Sequence, residues 1–167
     1  MNKYIYIYNL DELNNLVKTF PKLPPEMNVF NIFIKNIKNK FNIVDDIKKA
    51  DIAFIPIDFT KLIFIAPHHT YSIIPKNCPP RPSPFNINEK RNFMIYFWNK
   101  YVKDNLINYD IPHFIFYSYV LFVIDFDWLP KNIQICAYEN AVSLWDSKKL
   151  LYPKNKIICT PYILNEN

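Results

Sequence analysis

"KKADIAFIPIDFT", residues 48–60, decides how the chain is read. A basic turn gives way to an apolar run from Ile52 to Ile57, interrupted by Pro56 and closed by Asp58, Phe59 and Thr60. The run is apolar on both faces, as a parallel strand covered by helices must be. A strand that ends in a proline, an acid and a hydroxyl needs a reason beyond core packing. In parallel α/β sheets ligands collect beyond the carboxyl ends of the strands, so polar groups there face a crevice. Asp58 is accordingly a candidate for binding ligand hydroxyls or for catalysis, since carboxylates accept hydrogen bonds strongly. The alternative is a cap on the turn that follows.

Working outward, four more segments read as strands: "KYIYIYNL" (3–10), "HFIFYSY" (113–119), "NIQICAY" (132–138) and "KIICTPY" (156–162). Asn9 and Asp11 offer a cap for a helix over "ELNNLVKTF". Met27, Phe30, Phe33, Ile34, Ile37 and Phe41 recur at three- and four-residue steps, which predicts an amphipathic helix from Glu26 to Phe41. "NIVDDIKKA" (42–50) reads as a helical turn or connector, and "NFMIYFWNKYVKDNL" (92–106) as a further helix. Residues 58–91 hold little periodicity and read as a long proline-rich loop, with seven prolines between Pro56 and Pro84. Loops of that length inside a compact domain are commonly functional. Strands alternating with helices predict one α/β domain over residues 1–167, Rossmann-like, with a mostly parallel sheet flanked by helices.

Composition narrows the function. The chain has 167 residues, half of them hydrophobic, which suits one domain with a substantial core. Glycine is absent, which excludes every glycine-dependent phosphate loop. Asn and Asp are expected wherever a positive φ is needed. The net charge of +5 is spread over scattered basic residues, and no RNA- or DNA-binding motif is present, which argues against nucleic acid as a partner. The three cysteines (Cys78, Cys136, Cys159) lack metal or redox spacing and read as reduced and non-catalytic. No apolar stretch reaches the length of a membrane span or a signal peptide, so a cytoplasmic location is expected. The wealth of Asn, Ile, Lys, Tyr and Phe is a usage found in large DNA viruses and some protists; for a viral protein the location would be the virus factory or virion.

Other candidate site residues lie at loops and strand ends. His68 and His69 stand with Thr70 and Tyr71 in the long loop. A histidine there suits a base that takes a hydroxyl proton, or a substrate contact; the alternative is a pair of exposed loop histidines. Adjacent histidines point apart, so no metal site is expected. Arg81, Lys90 and Arg91 frame the loop and could meet phosphate or uronate groups, with a solvated surface as the default. Ser118, Tyr119 and Glu139 fall at carboxyl ends of strands, and His113 opens one, where the alternative to a ligand contact is a satisfied histidine at a strand start.

The order of these pieces resembles the N-terminal half of an exostosin-family glycosyltransferase. "YIYIYNL" is similar to the family's opening Y-x-Y-x-L strand. "VDDIKKADIAFIPIDF" is similar to its T-x-D-P-x-x-A-D-x-F-F-V-P segment, Trp98 falls in the helix where the family carries a tryptophan, and "LYPKNKIICTPY" resembles the closing F-x-P-x-K-D-V-V-I-P-P. "NYDIPHFIFYS" loosely follows the G-R-D-H-x-F-V strand, keeping His113 but lacking the glycine and arginine, with the acid moved to Asp110. The resemblance runs from about residue 3 to residue 162. It implies a GT-B-like enzyme with two Rossmann-like domains, of which this is the acceptor-side half, facing a glycan or glycoprotein. The donor, a sugar nucleotide, would be held by a second domain, and no cofactor is expected in this chain itself. The alternative is a degenerate, non-catalytic binding or structural protein, such as a virion component.

Overall fold

A computed structural model describes residues 3–19, 29–59, 61–62, 86–107, 110–117, 126, 128–138 and 157–160. The strands are β1 (Tyr4–Ile7), β2 (Asn42–Val44), β3 (Ile52–Phe54), β4 (His113–Tyr117), β5 (Ile133–Tyr138) and β6 (Ile157–Thr160). They form one sheet in the order β2-β1-β3-β4-β5-β6, and every neighbouring pair is parallel. The helices are α1 (Asp11–Lys18), α2 (Val29–Lys40) and α3 (Ile87–Tyr101), with 3-10 turns at Ile47–Lys49 and Lys103–Asn105. The α/β, Rossmann-like reading therefore holds.

Alternation along the strands divides the core into two layers. Ala53, Ile55, Ile115, Tyr117, Ile133 and Ile135 turn to one face and pack with Leu13 of α1 and Phe93, Met94, Phe97 and Trp98 of α3. Ile5, Phe54, Phe116 and Cys136 turn to the other and pack with Phe30, Phe33 and Ile37 of α2. The second layer is largely phenylalanine: Phe33 stacks on Phe116 with ring centroids 4.2 Å apart, and Phe54 stacks on Phe114 at 4.9 Å. Offset stacks of this kind add to the area they bury.

Hydrogen bonding accounts for the proline within 52–57. Ile55 still donates to the Phe114 carbonyl at 2.9 Å, continuing the ladder beyond β3. Pro56 has no N–H to give, and Ile57 N–H turns back to the Ile55 carbonyl at 2.9 Å. That i→i+2 bond is a γ-turn centred on the proline, whose fixed φ suits it. The strand thus stops by bending, and delivers Asp58 to the sheet's carboxyl rim.

Several sequence expectations need correction. Asn42–Val44 is a strand rather than part of a helical connector; three residues of edge pairing with β1 leave almost no pattern to read. Asn9 and Asp11 do not cap α1. The cap position is Leu10, without a side-chain bond, and Asn9 Nδ2 instead donates to Asp11 Oδ2 at 2.6 Å. The helix near 92–106 starts earlier, at Ile87, because Asn86 accepts from Glu89 N–H at 3.1 Å while its own amide donates to the Glu89 carboxylate at 2.8 Å. This reciprocal cap shortens the loop before it.

The glycine-free chain also ends α1 and α3 without a left-handed residue. Thr19 closes α1 at φ −76° and Val102 closes α3 at φ −115°. Tightening into i→i+3 bonds, such as Asn105 N–H to the Val102 carbonyl at 2.9 Å, replaces the left-handed cap. Asn105 Nδ2 donates to the Tyr101 carbonyl in the last turn at 2.9 Å.

Candidate functional site

The strand order reverses between β1 and β3: the chain leaves β1 toward β2 on one side, and leaves β3 toward β4 on the other. In open parallel sheets the crevice outside the carboxyl ends at such a reversal is the default ligand site. Here that rim is built by Asn9, Asp11 and Glu12 beyond β1, and by Pro56, Ile57 and Asp58 beyond β3. The main chain joins the two sides, since Tyr8 N–H donates to the Phe54 carbonyl at 3.0 Å.

The rim is acidic. Asp11 and Glu12 fill the first turn of α1. They complement the positive end of the helix dipole and repel a second anion there. The α1 side of the rim therefore suits hydroxyl donors and disfavours phosphate. Asp58 is half-buried; its Oδ1 accepts from Lys61 N–H at 2.9 Å and its carbonyl accepts from Leu62 N–H at 3.0 Å. It thus caps the helical turn that begins at Phe59, the alternative that its place in the sequence offers. Asp58→Ala is expected to destabilise the fold by about 0.5–2 kcal/mol in urea titration, whereas Asp58→Asn, which caps as well, should stay within a few tenths.

Lys90 corrects the solvated reading given to the basic residues around the loop. It is only 2 % exposed, although Glu89 beside it is exposed and Arg91 half-buried. Burial pushes its ammonium below the ordinary lysine range. Its place follows from topology: Ile107, just past α3, bonds Tyr8, which in turn bonds His113 at the amino end of β4. The last turn of α3 therefore lies near the amino end of the sheet. Lys90, in the first turn of this 15-residue helix, lies toward the carboxyl rim.

His113 stands at the other end of the sheet, as the first residue of β4, and is 1 % exposed. Its Nδ1 lies 2.9 Å from the Ile111 carbonyl and its Nε2 lies 2.8 Å from the Tyr8 hydroxyl. Both ring nitrogens are thus occupied, and burial lowers the imidazole's pKa below the usual histidine value. Cys136, buried against the second face, is a free thiol pushed up to about 12 by desolvation, too high for a nucleophile at neutral pH. Across from β5, Cys159 of β6 pairs in register with Ala137.

Of the other sequence candidates, His68, His69, Thr70, Tyr71, Arg81, Ser118, Tyr119 and Glu139 lie outside the described residues. Tyr8 and the acidic first turn of α1 were not singled out from sequence. Their only signal was position at the end of the first strand, which acquires meaning once β1 is known to border β3. Among the described residues no cluster of three or more His, Cys, Asp or Glu could hold a metal, and no helix is long and apolar enough to cross a membrane. Comparison with protein-family models, with curated proteins and with solved structures finds no match.

Proposed function

We propose that the chain is a glycan-binding, glycosyltransferase-like domain, the acceptor-side half of a GT-B-type enzyme resembling the exostosins. The observation that carries this reading is the strand-order reversal between β1 and β3, rimmed by Asn9, Asp11, Glu12 and Asp58. Carboxylates and amides at a carboxyl rim bind polyhydroxy ligands well, and an acidic helix N-terminus is a poor seat for a nucleotide diphosphate. An acceptor-side domain needs the first property and not the second. A sugar-nucleotide donor would then be held by a second domain. In the complete enzyme a base would take the acceptor hydroxyl proton as the nucleotide departs, and Asp58 and the His68–His69 pair are the candidates for that role.

A second reading, a non-catalytic binding or structural protein, is favoured by His113. It is the one residue kept from the family's G-R-D-H block, and its ring is closed off from solvent.

The test is thermal stability of the purified chain against short neutral and uronate-bearing oligosaccharides and against uridine-diphosphate sugars. An oligosaccharide at a hundred times its Kd should add about 2.7 kcal/mol, while the nucleotide sugars alone should add nothing. Asp58→Asn should remove the shift without unfolding the protein. Stabilisation by nucleotide sugars alone would overturn the acceptor-side assignment, and silence toward every oligosaccharide would leave the structural reading standing.

A further inference from the structure

Tyr8, His113, Ile107 and Ile111 form a chain of hydrogen bonds whose directions follow from the groups in it that can only accept. The Ile111 carbonyl, 2.9 Å from Nδ1, can only accept, so Nδ1 carries a proton. In the neutral ring Nε2 is then bare, and the Tyr8 hydroxyl 2.8 Å away must donate to it. The same hydroxyl oxygen accepts from Ile107 N–H at 3.2 Å. One contact is left over: the Ile107 carbonyl lies 3.3 Å from the Tyr8 oxygen, and a hydroxyl has a single hydrogen to give.

That spare acceptor allows a second arrangement. If a proton binds at Nε2, the imidazolium donates to the Tyr8 oxygen, and the hydroxyl hydrogen rotates to the Ile107 carbonyl. One proton is taken from solvent, no covalent bond between heavy atoms changes, and every polar group remains paired. Buried polar groups left unpaired are costly, so a site in which the protonated ring still finds an acceptor at each nitrogen is distinct from an ordinary buried histidine.

We infer that Tyr8 acts as a reversible hydrogen-bond relay, transmitting the protonation state of His113 to the main chain at Ile107, on the surface where α3 hands over to β4. Ile107 is itself 40 % exposed, so the signal reaches the protein's exterior. Tyr8 is the titratable side chain bonded to the imidazole. The neighbouring register positions, Ala53 and Ile133, bring no charge. The charged groups at this end of the sheet include Asp51, Asp110 and Lys131 before the strands, Lys18 and Lys100 at the ends of α1 and α3, and Lys103 and Asp104 in the turn before Ile107, all exposed to solvent.

The experiment is a carbon-13 and nitrogen-15 NMR titration from pH 8 to pH 5 on the whole chain. The Ile107 carbonyl signal should shift with the same midpoint as the His113 ring, and the shift should vanish in Tyr8→Phe, which has no hydroxyl to rotate. His113→Gln, which keeps an amide in place of the ring but does not titrate, should also leave Ile107 flat, and covers the case in which Tyr8→Phe does not fold. An Ile107 signal that stays still while His113 titrates, that still moves in either variant, or a His113 that remains neutral until the protein unfolds, would overturn the relay.

Discussion

Phe54→Ala is expected to lower the unfolding free energy by about 3–5 kcal/mol, the range for truncating a fully buried phenylalanine. Phe54 is 0 % exposed and sits on β3 in the middle of the sheet. Its ring meets Phe114 at 4.9 Å, Phe33 at 5.7 Å and Phe30 at 6.2 Å. Removing it opens a void among three stiff rings that cannot collapse inward together. The loss combines transfer free energy with a cavity term and with the ring–ring contacts. Against a typical total of about 5–15 kcal/mol, the variant should be marginal at best. Urea titration measures it, with Tyr4→Ala as the control: Tyr4 is 45 % exposed, and its loss should change little. A Phe54→Ala cost near that of Tyr4→Ala would mean that α2 does not seal this face.

Acid should destabilise the protein through His113. Burial depresses the imidazole's pKa in the folded state. Between the unfolded-chain value, about 6.5, and the lower folded value, the unfolded chain therefore binds the proton more readily. The stability contributed by the neutral ring is complete above the unfolded value. It falls as the pH drops through that window and levels off below the folded pKa. One proton allows a slope of at most about 1.4 kcal/mol per pH unit. Denaturant midpoints measured from pH 8 to pH 5 should trace this curve, and His113→Gln should remove its one-proton component. A wild-type stability that is constant over the range, or one that rises toward acid, would contradict the burial of a neutral ring. The relay through Tyr8 preserves pairing after protonation but does not restore the lost hydration of the charge, so the two expectations are compatible.

How far the sequence was legible depended on the length of each pattern. Phe30, Phe33 and Ile37 announced the buried face of α2, because three- and four-residue steps over more than two turns match the helical period and not the two-residue period of a strand. "ADIAFIPIDF" announced a two-sided parallel strand followed by a polar rim, and both features are present. β2 was hidden because three residues carry no period. The cap of α1 was misplaced because Asn9 and Asp11 satisfy each other, and propensity cannot tell a side chain that caps from one that bonds its neighbour. Lys90 was expected in water because lysine usually is; its burial depends on what α3 packs against, which no local window contains.

The amino-acid sequence by itself determined the α/β class, the absence of any glycine phosphate loop, and a strand that ends in Pro56 and Asp58, because these follow from side-chain periodicity and backbone stereochemistry within a few residues. Only the tertiary structure decided that β1 borders β3, so that an acidic helix start and Asp58 share one rim, and that Tyr8 meets His113 across 105 positions of chain. Strand order and long-range pairing are set by how whole faces pack together, and that free energy belongs to the assembled sheet rather than to any segment of it.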